Sequence, residues 1–338
     1  MELPKYIEKL KKLTGCIIAV VYTFPENSTK YKYYDAWKAD VLSDWIRGVY
    51  DINCIPLVMD FETFAFKAFN NTLPKIDYVI NLNNGSVNLS SLGLLPSICS
   101  YLNIPCIPNN SETLILGENK FISNILAQNA GMQIPKYIYN DSEFGIIRPI
   151  GYGSSKGVHR GTTKNSDLEL CQEFIPGFDM TISFMYNPIK EHLCFISSLM
   201  YLPNNMDVNW YLGEIEKENR NSYSKKFVKI EKSFARKLES FIIQNFKINT
   251  LCRIDTRVKC QSKDELLYFT EHEVDSNRIY FLEINPLPTI KEDVNFINTI
   301  LNTSDTSDFK MCLNEFKKYT NSTYVTGFVL SSILLSKN

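Results

Sequence analysis

The spacing of hydrophobic and polar positions changes period along this chain, and each change marks an element. Residues 16–24 (CIIAVVYTF) are a short unbroken apolar run rich in β-branched side chains, the pattern of a strand buried on both faces. Residues 33–49 place Trp37, Val41, Trp45 and Val49 on one helical face. Residues 54–59 and 77–82 read as strands, residues 92–102 as a helix and residues 104–107 as a short strand. This alternation predicts a doubly wound α/β lobe on a parallel sheet, ending near Glu112.

The pattern then shifts. Residues 119–130 have helical spacing, with Phe121, Ile125 and Leu126 apolar, and Gly131 and Pro135 stand where such a helix stops. Residues 143–179 hold two apolar strands around a glycine- and serine-rich loop, and strand-like runs follow at 181–186 and 193–202. Residues 204–224 are polar and aromatic without a period, which predicts a long functional loop. Residues 231–246 put Phe234, Leu238, Phe241 and Ile242 on one side of an amphipathic helix. Strands at 252–258 and 279–284, then helices, complete the chain. The apolar stretch 324–335 is shorter than the roughly 20 residues that span a bilayer and is expected to be a core helix.

Composition narrows the class. The 338 residues are 44% hydrophobic, 22% charged and 13% aromatic, which excludes a disordered or fibrous chain. Lys+Arg total 36 against 37 Asp+Glu, so a net charge of −1 argues against a bulk nucleic-acid binder. The nine cysteines are scattered, with no Cys-x-x-Cys and few histidines, and read as reduced thiols of a cytoplasmic protein. Residues 1–14 are charged and lack the plan of a signal peptide.

Four stretches carry candidate chemistry. The first, RPIGYGSSKGV from Arg148, follows a strand. Its glycines let backbone approach a ligand, and successive amides make an anion nest, so with Arg148 and Lys156 it suits a phosphate chain. Alone it fits an ordinary hairpin with a flexible tip better. It is neither a Walker A loop nor a dinucleotide-binding glycine motif. The second, FLEINPLP, puts Glu283 and Asn285 two apart on a strand, hence on one face, as hard oxygen ligands suited to Mg2+. The third, CRIDT, puts Arg253 and Asp255 on one face. If these strands pair, Asp255, Glu283 and Asn285 form a metal site beside Arg253; the plainer alternative is a surface salt bridge. The fourth, LCQEFIPGFDMT, offers Gln172, Glu173 and Asp179 beside a turn at Pro176–Gly177. It reads as an adenine and ribose reader or, alone, as an exposed turn.

Together these stretches resemble a family. In order stand Asn119–Lys120 opening a helix, a GSS-x-GV loop, Q-E-F-I-P-G-x-D, R-I-D and L-E-I-N-x-x-P, preceded by YLNIPCIPN. The set, between about residues 77 and 290, resembles the ATP-grasp superfamily, and most the D-alanine–D-alanine ligase branch. The resemblance implies an α/β fold of three lobes: an N-terminal doubly wound lobe (1–112), a shortened β-rich central lobe (113–180) and a C-terminal α+β lobe (181–338). It implies a carboxylate–amine ligase that forms an amide or peptide bond. ATP converts a carboxylate to an acyl phosphate, an amine attacks, and ADP and phosphate leave. Two Mg2+ ions, with Mn2+ as an alternative, neutralise the phosphates, and a closing loop shields the intermediate from water.

Carried over residue by residue, Lys120 and Arg148 contact the ATP phosphates, with Ser154 and Ser155 covering them. Gln172, Glu173 and Ile175 surround adenine, and Asp179 holds the ribose. Asp255, Glu283 and Asn285 are the magnesium ligands. Arg253 is the catalytic residue, polarising the acyl phosphate or stabilising the oxyanion of the tetrahedral intermediate. Lys217, Lys225 and Lys226 all remain candidates for the loop lysine that reaches the γ-phosphate.

The chain also departs from the branch. Arg148 replaces a lysine, exchanging a point charge for a planar fork. The stretch joining Asp255 to Glu283 is long, so their pairing requires an excursion over 258–280. The family's acidic residue after the first strand and its histidine-glycine passage are matched only by TFPENSTKYKYYD, with Glu26, and by NLNNGSVN, with Asn84. Thr289 stands where the family uses glycine. These departures point to amino-acid or short-peptide substrates other than D-alanine. The expected partners are small molecules, neither nucleic acid nor membrane, with a homodimer left open. The competing readings are a non-catalytic nucleotide-binding ATP-grasp protein and an ATP-grasp kinase.

Overall fold

The computed structural model of the chain describes residues 3–23, 39–83, 91–139, 143–151, 153, 155–162, 166–290, 307–322 and 324–337. Four strands, β1 (Ile17–Tyr22), β2 (Ile55–Asp60), β3 (Tyr78–Leu82) and β4 (Cys106–Ile107), form a parallel sheet in the order β2-β1-β3-β4. Helices α1 (Leu3–Lys11), α2 (Ala39–Asp51), α3 (Phe61–Phe69) and α4 (Leu94–Tyr101) accompany it. Strand β1 lacks polar alternation because both faces are core: Ile18 and Val20 enter one cluster, Ala19 and Val21 another. The helix predicted at 33–49 is α2; its expected first turns, 33–38, lie outside the described residues. Helices α1 and α3 have no counterpart in the sequence reading. Helix α3 starts where the Asp60 carboxylate accepts the backbone N–H of Thr63 at 2.8 Å and its hydroxyl at 2.7 Å.

Two helices, α5 (Ser111–Glu118) and α6 (Lys120–Asn129), lead to a three-stranded antiparallel sheet of order β6-β5-β7, built from β5 (Gly145–Pro149), β6 (His159–Gly161) and β7 (Glu169–Gln172). The apolar pattern predicts two strands here. The third, β6 (HRG), is three residues long and too polar to register.

The remaining strands, β8 (Gly177–Asn187), β9 (His192–Pro203), β10 (Tyr223–Ile230), β11 (Leu251–Lys259), β12 (Glu273–Val274) and β13 (Ile279–Asn285), make a six-stranded sheet ordered β12-β10-β9-β8-β11-β13. All its pairs are antiparallel except β10 with β12. Period two divides the sheet into two faces. On β8, Phe178, Met180, Ile182 and Phe184 share a core with Phe234, Leu238, Phe241 and Ile242 of α8 (Lys232–Phe246). The alternate residues Asp179, Thr181 and Ser183 face the other way.

The loop predicted at 204–224 is corrected at its end, because Tyr223 and Ser224 already belong to β10. It carries α7 (Glu214–Glu218) and a turn at Arg220–Ser222. The excursion between β11 and β13 contains α9 (Lys263–Tyr268) and β12. The chain closes with α10 (Ser307–Thr320) and α11 (Thr326–Leu335). Every residue of α11 is buried; it packs with α1, α2 and β8 and meets α10 through Phe316 and Phe328, as its largely apolar sequence requires. Among the described residues no helix is long and apolar enough to cross a membrane. None of the nine cysteines forms a disulfide.

Candidate active site

The strands carrying R-I-D and L-E-I-N pair directly. Asp255 stands opposite Glu283 and Arg253 opposite Asn285 in the β11–β13 ladder. In the β11–β8 ladder Arg253, Asp255 and Arg257 oppose Ser183, Thr181 and Asp179. The site is therefore one face of three-residue rows running across three strands, Ser183–Arg253–Asn285 and Thr181–Asp255–Glu283, turned away from the α8 core.

Asp255 receives Thr181 Oγ1 at 2.8 Å on Oδ1 and Arg253 Nη2 at 2.8 Å on Oδ2. Glu283 Oε2 lies 3.2 Å from Lys120 Nζ. Burial would raise the Glu283 pKa, but Lys120, Arg148 and Lys217 outweigh it and hold the group below the ordinary glutamate value. Burial opposes the charge of Arg253, while Asp255, Tyr201 and Glu283 strengthen it, and its pKa rises. Asn285 Oδ1 accepts the N–H of Leu287 at 3.0 Å, which orients the side chain at the strand end.

Lys120 is brought here by α6. Asn119 Oδ1 caps that helix by accepting Ile122 N–H at 3.0 Å, and Asn124 Nδ2 donates to the Leu282 carbonyl at 2.8 Å, which docks the helix on β13. Arg148 on β5 donates from Nη2 to the same carbonyl at 3.0 Å. Its side chain is buried and its Nε has no hydrogen-bond partner. Burial pulls its pKa down against Glu283. Of the loop lysines, Lys217 lies within electrostatic reach of the site. Burial and Arg253 lower its pKa, and Asp255, Glu283 and Asp179 pull the other way. Lys225 instead lies over the rings of Tyr201 and Tyr223, 6.0 and 5.9 Å from their centroids, and Lys226 is exposed.

Gln172 is fully buried. Its Nε2 donates to Asn124 Oδ1 at 3.0 Å and to the Pro135 carbonyl at 3.1 Å, which fixes the orientation of the amide and leaves Oε1 without a partner. Glu173 Oε1 accepts the N–H of Lys136 at 2.9 Å. Ile175 is buried at the turn, and its carbonyl accepts Arg257 Nε at 2.8 Å. Asp179 Oδ2 accepts the N–H of Leu212 at 2.7 Å and Arg257 Nη1 at 3.0 Å. Gly177, at φ +141°, sits so close to the Val258 carbonyl that no Cβ fits. Ser155, at φ +60°, donates to the Leu212 carbonyl at 2.9 Å, so the glycine loop touches the loop that leads to Lys217. Ser154, Glu26 and Asn84 lie outside the described residues, and Thr289 is exposed.

The structure thus gathers Lys120, Arg148, Arg253, Asp255, Glu283 and Asn285 on one side, and Gln172, Glu173, Ile175 and Asp179 at the adjoining turn. Sequence reasoning missed Thr181, Asn124 and Arg257. The signal for Arg257 was its place two beyond Asp255 on the same strand face. Among the described residues no three His, Cys, Asp or Glu side chains cluster as a metal site. The candidate set has two carboxylates and one amide, an all-oxygen donor set of the hardness Mg2+ takes when phosphate and water complete its shell.

A parallel α/β sheet, a small antiparallel sheet and a larger one bearing a charged face make up the ATP-grasp architecture, in the form found in D-alanine–D-alanine ligases. The D-alanyl-alanine synthetase A of Vibrio cholerae matches with a TM-score of 0.62 at 12% identity, covering 91% of this chain and 99% of that one. The D-alanine–D-alanine ligase of Bacillus anthracis, also solved in complex with ATP, matches at 0.58 and 12% identity over 91% of this chain and 98% of its own. The VanG D-Ala:D-Ser ligase of Enterococcus faecalis matches at 0.57 and 16% identity over 90% of this chain and 100% of its own. No protein-family profile and no curated protein matches the chain.

Proposed function

We propose that this protein is an ATP-dependent carboxylate–amine ligase that joins amino acids or short peptides through an acyl phosphate. The observation that carries the reading is the facing pair Asp255 and Glu283, ringed by Lys120, Arg148, Lys217 and Arg253. Carboxylates on one strand face, met by cations from that face, a helix, the smaller sheet and a loop, are what a triphosphate and its counter-ion require. In this reading Asp255, Glu283 and Asn285 hold Mg2+, which would neutralise phosphate charge when bound. Lys120 and Arg148 grip phosphate oxygens, and Lys217 meets the γ-phosphate. Arg253, fixed by Asp255, faces the negative charge that develops on the acyl oxygen. The unpartnered Gln172 Oε1 suits the amino group of adenine, Glu173 and Ile175 flank the ring, and Asp179 meets the ribose. Ser155, with Ser154, covers the phosphates.

The test is ADP release by the purified chain with ATP and Mg2+, against pools of amino acids and short peptides. Release that needs both a carboxylate and an amine, with a new amide seen by mass spectrometry, is the expected result. Absence of any such dependence across the pools sinks the ligase reading. A phosphorylated product without an amide replaces it with a kinase.

A further inference from the structure

Arg257 is 4% exposed and lies at the end of the charged face, beyond Asp255. Its guanidinium spends four hydrogen bonds on two separate parts of the molecule. Nε donates to the Ile175 carbonyl at 2.8 Å and Nη1 to Asp179 Oδ2 at 3.0 Å, both beside the Pro176–Gly177 turn. Nη2 donates to the carbonyls of Val208 at 3.2 Å and Trp210 at 2.6 Å, in the loop after β9. The same Asp179 oxygen accepts Leu212 N–H at 2.7 Å. Glu216 Oε2 then accepts Gly213 N–H at 3.1 Å and starts the short helix that bears Lys217. The Phe174 ring centroid lies 3.7 Å from the Arg160 guanidinium and 5.1 Å from that of Arg257.

Removing a guanidinium from water costs several kcal/mol, so a buried one is retained only with its donors well satisfied. The partners here are backbone carbonyls of a loop whose other ties to the turn and the glycine loop are single hydrogen bonds, Gly177 N–H to the Val208 carbonyl at 2.6 Å and Ser155 Oγ to the Leu212 carbonyl at 2.9 Å. A planar fork with fixed N–H directions can hold several carbonyls at once, as a lysine cannot.

We propose that Arg257 is a positioning residue: with Asp179 it latches the segment 208–213 against the turn at Pro176–Gly177 and so sets Lys217 over the site. The coupling to nucleotide rests on the ligase reading, because the carboxylate assigned to the ribose is the one that holds Leu212. A nucleotide in the cleft and a closed loop then stabilise each other through Asp179.

The test uses the full chain and trypsin, with cleavage after Lys217 followed by mass spectrometry, with and without ATP. Losing charge-assisted bonds to the loop in Arg257→Met raises cleavage after Lys217 by about tenfold or more without ATP, and ATP no longer protects the site. Wild type is cleaved slowly there and more slowly with ATP. Leu238→Ala, in the α8 core, is the control for general loosening, and leaves cleavage after Lys217 selectively unchanged. The latch is overturned if Arg257→Met is cleaved like wild type, or if Leu238→Ala accelerates that cut as much. No ATP effect on wild type removes the coupling and the nucleotide reading together, whereas the ATP-free comparison still decides the latch. Once substrates are known, the variant lowers kcat by a larger factor than it raises KM for the amine.

Discussion

Two lysines separated by eight positions face different surroundings. Lys217 is drawn into the field of Asp255 and Glu283, while Lys225, itself exposed, lies over the rings of buried Tyr201 and half-buried Tyr223. Lys217→Ala is expected to reduce turnover by about a hundredfold, the cost of one donor aimed at developing charge. Lys225→Ala is expected to stay within about twofold, as a solvated side chain should. Steady-state ADP release under the same conditions compares them, and equal losses would remove Lys217 from the site. Much of this face was legible in the sequence because strand geometry has period two: Asp255 with Arg253, and Glu283 with Asn285, share faces by spacing alone. The choice of lysine was not legible, since residues 204–222 have no period from which to compute a direction. Nor was the double use of the Leu282 carbonyl by Asn124 and Arg148, because backbone acceptors leave no trace in side-chain identity.

Elements show the same division. Strands β1 and β8 and helix α8 declare themselves through runs and alternation, whereas α3 (FETFAFKAF) is so aromatic that it imitates a strand. What settles it is Asp60, whose carboxylate caps the first turn. Burial alone would raise the Asp60 pKa, but the hydrogen bonds from Thr63 outweigh it and hold it below the usual aspartate value. A depressed carboxylate adds stability that is complete above its unfolded pKa of about 3.9 and is lost as the pH falls through the lower folded value. Asp60→Ala should therefore cost about 1 kcal/mol at neutral pH. Its deficit against wild type should shrink below about pH 4, as seen in urea unfolding at a series of pH values. A deficit independent of pH would show that the cap is not ionic.

On the scale of the molecule, one cluster joins distant parts of the chain. Tyr6 and Leu10 of α1, Val20 of β1, Trp45 of α2, Met185 of β8 and Phe328 of α11 share a single core. Phe328 meets Tyr6 and Phe316 edge-on, with ring centroids 6.5 and 6.0 Å apart. Phe328→Ala should cost about 3–5 kcal/mol and loosen the parallel and six-stranded sheets together. Circular dichroism and tryptophan fluorescence should then report one coincident transition, and a split transition would show that the sheets are held independently. The three-part architecture was legible in motif order, but this shared core was not. Its members lie up to some three hundred positions apart, and no local pattern pairs Tyr6 with Ser331, whose hydroxyls sit 3.0 Å from one another. The outer strand of the six-stranded sheet has a further consequence. Among the described residues only Glu273 and Val274 pair with the outer edge of β10, opposite Lys229 and Ile230. Lys225, Lys226 and Lys229 are spread along that strand. An open edge invites a foreign strand, and lysine charge repels a second copy presenting the same edge. Edge-to-edge pairing of two copies at this margin is thus opposed by the strand's own lysines.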